Sequence, residues 1–180
     1  MKFLLFVFIL FSSVANASDF NHLINGKYWG SPPSVFVCSD TAIDKKIVSQ
    51  AVEFWISQGF KIQRDVRVKD CSQGTKIGQI TIEYFAPGDN PEYYNAVAHS
   101  YNFENNNMKR AYAKIYVRKS LKDEVDIYKH EIGHALGLDD EYNNYDSVMT
   151  HEKVYYLPKN PLINSLSGIL SIMSITSLKE

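Results

Sequence analysis

Apolar positions along the chain follow two periods, one of two residues and one of three to four. Ser34–Cys38 (SVFVC) is short and β-branched and reads as a strand. Beyond it, Ile43, Ile47, Ala51, Phe54 and Trp55 recur at helical spacing, with Thr41 or Asp40 as the cap and Gly59 as the stop. That is an amphipathic helix built to lie on a sheet. Residues 60–68 form a weaker strand candidate. In residues 79–85 (QITIEYF), Ile80, Ile82 and Tyr84 alternate with Thr81, Glu83 and Phe85, so one face of the strand is more apolar than the other. Residues 87–91 (PGDNP) read as a loop. Residues 95–102 and 111–119 are further strand candidates, separated by a turn at 104–107. Ser120, with Asp123 three residues on, predicts the start of a helix that runs to about Leu136 and stops at Gly137. Residues 138–160 read as loop. A last helix is expected over 161–178, with Ile163, Leu166, Leu170 and Met173 on one face.

The start of the chain has a different character. Lys2 precedes an unbroken apolar run at 3–11 (FLLFVFILF), and Ala15-Asn16-Ala17 has the small-x-small pattern of a signal peptidase site. Residues 1–17 are therefore expected to be a cleaved secretory signal, and residues 18–180 a single domain. The run is well short of the roughly 20 residues that span a bilayer. The 161–178 segment is too short and polar to span one, so no stable membrane span is expected after cleavage. Export to an extracellular or periplasmic space gives Cys38 and Cys71, the only two cysteines, a reason to pair. Such a disulfide stabilises a fold by about 2–4 kcal/mol, mainly by restricting the unfolded chain. With 19 Lys and Arg against 20 Asp and Glu, the chain is no broadly basic nucleic-acid binder.

Chemistry concentrates in residues 130–149 (HEIGHALGLDDEYNNYDSVM). His130 and His134 stand four residues apart on a predicted helix, so both imidazoles project from one face. Two neutral imidazoles at that spacing can hold one zinc ion at about 2.0–2.1 Å. Glu131 lies beside them as a candidate general base. A catalytic zinc usually takes a third protein ligand. Gly137 lets the chain fold back sharply, and Asp140 follows three residues later. Asp139 and Glu141 flank it and share the candidacy.

This segment resembles the signature of the metzincin clan of zinc endopeptidases, H-E-x-x-H-x-x-G-x-x-(His or Asp) followed by a Met-turn. His130, Glu131, His134, Gly137 and Asp140 match it, and Ser147-Val148-Met149 is similar to the Met-turn. HEIGHALGL is very like the matrixin segment, but matrixins carry His as third ligand. Asp140, with Asp140-Glu141-Tyr142, is similar to the snapalysins. The resemblance implies an α+β zincin fold. It has a twisted, mostly parallel sheet with an antiparallel edge strand, a backing helix, an active-site helix and a C-terminal helix. It implies Zn2+ held by His130, His134 and Asp140, with Glu131 as general base and proton shuttle and Met149 as a hydrophobic floor. His151 sits where related enzymes place a Tyr that contacts the metal or the oxyanion. His99, in Val97-Ala98-His99-Ser100, resembles a matrixin strand residue that binds a structural zinc. Glu152 is a gluzincin-like option that Gly137 and Met149 argue against. No matrixin cysteine switch is found around Cys38, so the mature chain is expected to act without propeptide removal.

The expectation is a secreted, monomeric zinc endopeptidase acting on protein or peptide substrates, with the substrate extended along an edge strand near 95–102. A catalytically weak zinc-containing binding protein is one alternative. A zinc amidase acting on cell-wall peptides is another.

Overall fold

The computed structural model describes residues 20–87, 89 and 95–150. The signal segment, His151, Glu152 and the helix expected over 161–178 lie outside the described residues. Within them, six strands and two helices run in the order β1 (Tyr28–Trp29), β2 (Ser34–Cys38), α1 (Lys45–Ser57), β3 (Val66–Lys69), β4 (Gln79–Tyr84), β5 (Ala96–Phe103), β6 (Asn106–Val117) and α2 (Val125–Leu136). The sheet has the order β1-β6-β4-β2-β3, and β5 pairs with β6. All pairings are parallel except that of β5, which lies antiparallel on β6 with Ala98 opposite Ile115. The expected mixed architecture, mostly parallel with one antiparallel edge strand, is therefore present.

Alternation along the strands decides where the helices go. Val35, Val37, Ile80, Ile82, Ala113, Ile115 and Val117 are buried on one face, in one cluster with Val48, Val52 and Trp55 of α1 and Ile127, Tyr128 and Ile132 of α2. On the other face Glu83 meets Lys114 at 3.5 Å, and Arg67 and Lys69 lie over the Phe36 ring. Both helices thus share one side of the sheet. This departs from the two-sided cover usual for parallel sheets, and the half-polar strand sequences account for it. Among the described residues no helix is long and apolar enough to cross a membrane.

Several boundaries differ from the sequence expectation. The cap of α1 is Asp44, whose carboxylate accepts from the Lys46 N–H at 2.9 Å; Thr41 instead donates its hydroxyl to the Cys38 carbonyl. Only the end of the 60–68 segment, Val66–Lys69, joins the sheet, because Phe60 turns into an edge contact with Trp55 at 5.1 Å. β6 begins at Asn106, five residues before the expected 111, since β5 and β6 form a tight hairpin whose ladder continues through polar positions. The turn shrinks to residues 104–105. Ser120 caps no α-helix. Lys119–Leu121 is a 3-10 turn, held where the Tyr128 hydroxyl donates to the Lys122 carbonyl at 2.7 Å, and α2 starts at Val125.

Cys38, at the end of β2, is bonded to Cys71 just beyond β3, with Cα atoms 5.4 Å apart. The bond staples two neighbouring parallel strands and fits an oxidising environment. Replacing both cysteines by Ala should cost about 2–4 kcal/mol, from the loop-closure entropy of the 33-residue separation. Urea denaturation of the two forms measures this directly; an unchanged midpoint would mean the reduced chain already holds that loop closed.

Candidate metal centre

The centre begins with helical geometry. His130 and His134 lie one turn apart on α2, with ring centroids 4.6 Å apart. Each ring is fixed through its Nδ1. His130 Nδ1 donates to the Val148 carbonyl at 3.0 Å and His134 Nδ1 to the Leu138 carbonyl at 2.8 Å. A carbonyl oxygen can only accept, so both Nδ1 atoms carry the proton. In the neutral rings both Nε2 atoms then present lone pairs.

The third donor arrives through a reversal of the chain. Gly137 adopts φ 109°, and the Leu138 N–H reaches back to the Gly133 carbonyl at 3.1 Å, as in a Schellman ending. The same Leu138 supplies the carbonyl that orients His134. Two residues further, Asp140 Oδ1 lies 3.4 Å from His130 Nε2 and 3.4 Å from His134 Nε2. Its neighbours turn elsewhere. Asp139 Oδ1 accepts from the Asn25 amide at 3.0 Å, and Glu141 Oε2 meets His22 Nε2 at 2.5 Å. Of the three adjacent acids, Asp140 is the one brought to the histidines.

The donors fit a metal ion. The two Nε2 atoms are 3.0 Å apart, and with the two 3.4 Å edges the triangle has a circumscribed radius of about 1.9 Å. An ion at the roughly 2.0–2.1 Å of zinc–imidazole bonds can therefore touch all three. Two lone pairs and a carboxylate facing one another are satisfied by a shared proton or by a cation placed between them. Among the described residues this is the only His, Cys, Asp and Glu group with such spacing. His99 has no such partners there and lies edge-on to Tyr116 at 5.7 Å.

Glu131 is 2% exposed, and its Oε2 has no hydrogen-bond partner among the described residues. Burial pushes its carboxyl up to about 7; His134 and the Ala98 N–H oppose this, and Asp140 adds to it. For His134, burial pulls downward, but Asp140 and Glu131 outweigh it and raise the imidazole. His22 holds Glu141 below the ordinary carboxylate range. The histidines, Glu131 and Asp140 open on a cleft of about 380 Å³, whose far wall is residues 96–98 of β5.

Met149 is fully buried. Its N–H donates to the Ser147 hydroxyl at 3.2 Å, and its carbonyl accepts from the Glu141 N–H at 2.8 Å. The Ser147–Met149 turn thus does two jobs. It packs a sulfur beneath α2, and through the Val148 carbonyl it orients His130.

Some contributors were not singled out from the sequence. Gly133 is one: a β-carbon there would lie 2.4 Å from Met149 Sδ and 2.7 Å from Trp55. A glycine inside a helix costs about 0.5–1 kcal/mol relative to Ala, which is itself a signal of close packing. The N-terminal segment is another. Leu23 and Asn25 pair through their backbones with Asp139 and Gly137, and the Trp29 indole donates to the Ala135 carbonyl at 2.9 Å. Nothing in those isolated residues announced a partner more than a hundred positions away.

No family model matches the chain, and no curated protein matches it in sequence.

Two outcomes follow from this packing. Gly133→Ala should lower stability by about 1–3 kcal/mol through overpacking, against the helix-propensity gain; a raised melting temperature would mean Met149 has room to retreat. Zn2+ added to metal-free protein should raise its melting temperature, by about 2.7 kcal/mol of stability at a hundred times Kd. The same rise in His130→Ala would contradict the three-donor site.

Proposed function

We propose that the protein is a secreted zinc-dependent endopeptidase of the metzincin kind. The observation that carries this reading is the Glu131 carboxylate, buried with an unpartnered oxygen in the cleft that holds the His130, His134 and Asp140 donors. A site that only held a metal for structure would have no use for a buried, unsatisfied carboxylate beside it. The single antiparallel edge strand beside the cleft and the buried Met149 below the helix agree with the metzincin resemblance. The Cys38–Cys71 bond agrees with export.

His130, His134 and Asp140 would hold the ion. Zinc, when bound, supplies Lewis acidity, lowering the pKa of a water toward about 7 and polarising the scissile carbonyl. The chain's own residues do the rest. Val148 and Leu138 fix the imidazole tautomers, so the donor atoms need no rearrangement. Glu131 accepts the proton of the attacking water and passes it to the leaving amine. β5 pairs only with β6 among the described residues, so its other edge is available to an extended peptide. Backbone pairing along that edge would lay the scissile bond over the donors.

The test is cleavage of a mixed peptide library by zinc-loaded protein spanning residues 18–180. Cleavage should stop on chelation and return with Zn2+. Glu131→Gln should lower kcat/KM by about 10²–10⁴-fold while zinc content stays at one per chain. Full activity in that variant would sink the general-base role. Absence of cleavage by folded, zinc-loaded protein would favour the binding-protein alternative.

A further inference from the structure

The cleft contains a charge that the peptidase chemistry leaves unused. Arg110 lies on β6, where that strand meets Trp29 of β1 and Asn102 of β5, and it lines the cleft together with the metal donors. It is 4% exposed, and its Nε has no hydrogen-bond partner among the described residues. Asp139, the acid whose charge acts on it, already accepts from Asn25 at 3.0 Å. Burial pulls the guanidinium below its ordinary value, and Asp139 opposes that pull. Lys27 lines the same cleft.

A buried guanidinium without a hydrogen-bonded acid is costly, because the Asp139 charge offsets only part of the desolvation. A neutral carbonyl would satisfy an N–H but leave the charge. A carboxylate does both, since its two oxygens match the planar fork of the guanidinium. Every peptide carries this group, either on Asp and Glu side chains or at its C-terminus.

We propose that Arg110 is a specificity residue that receives a substrate carboxylate, so that the protein prefers peptides placing an acidic group in the cleft beside the scissile bond. This rests on the peptidase reading. The carboxylate comes from an acidic side chain or from the free C-terminus, and the two sources are separable by experiment.

The experiment compares kcat/KM of zinc-loaded protein on matched peptides. One series moves Asp or Glu through the positions around the scissile bond, against Asn or Gln. A second compares free C-terminal acids with C-terminal amides. One series should show an acid-over-amide preference of about 10–100-fold, as expected for a charge-assisted pair. Which series shows it identifies the source. In Arg110→Met that ratio should fall to near one, and Arg110→Lys should restore part of it. Met keeps the volume and removes a buried charge, so the melting temperature should not fall. A ratio unchanged in Arg110→Met, no preference in the wild type, or uniform loss on all peptides with a lowered melting temperature would each overturn the inference. Cleavage without preference leaves the peptidase reading standing. Conversely, anisotropy of labelled acidic peptides on zinc-loaded Glu131→Gln tests Arg110 without turnover. Carboxylate-dependent binding lost in the Arg110→Met double variant supports the inference even where no peptide is cut.

Discussion

The left-handed turn at Gly137 is the constraint on which the rest of the centre depends. Its φ of 109° is one that L side chains rarely adopt, and a β-carbon there would also lie 2.8 Å from the Lys27 carbonyl. Two independent requirements thus select glycine. From this turn come the carbonyl that fixes His134, the return of Asp140 to the helix and the surface on which Asn25 and Leu23 pair. A helix that ended in any other way would leave two histidines on a surface with nothing to complete them.

Electrostatics decides how three donors and the Glu131 carboxylate can share one cleft. Asp140 and Glu131 bring two carboxylates together in a cleft that Leu138 also lines. With both ionised, a bound divalent ion would cancel them and leave the cluster neutral, which is how low-dielectric surroundings tolerate charge. An aspartate in place of a third imidazole makes that balance complete. It would also weaken the Lewis acidity of a bound ion relative to three neutral ligands.

What the sequence could reveal was what is local. The spacing of His130 and His134, the stop at Gly137 and the inward faces of β2 and β4 are fixed by period and by residue type, and the structure contains them. Cys38 and Cys71 needed only the absence of other cysteines. The start of β6 was misplaced because Asn106 and Asn107 join a ladder that hairpin closure imposes without any apolar pattern. Ser120 was a plausible cap by type, yet the Tyr128 hydroxyl holds the preceding turn in a tighter winding. Spacing from Gly137 already favoured Asp140, but the reason Asp139 and Glu141 turn away was not legible, because their partners Asn25 and His22 come from the other end of the sequence. Arg110 gave no sign in sequence, since an arginine in a strand ordinarily faces water and only burial makes it conspicuous.

The pairing of residues 22–25 with 137–141 has a temporal consequence. His22 and Glu141 are separated by 119 positions, and Asn25 and Asp139 by 114. Contacts this distant close late, because the loop between them must first be ordered. A ribosome that has delivered the sheet and α1 has already delivered Leu23 and Asn25, but not yet the 137–141 turn with which they pair. The donor group of His130, His134 and Asp140 is therefore complete only when the last described segment joins the first, so the site is the final part of the fold to close.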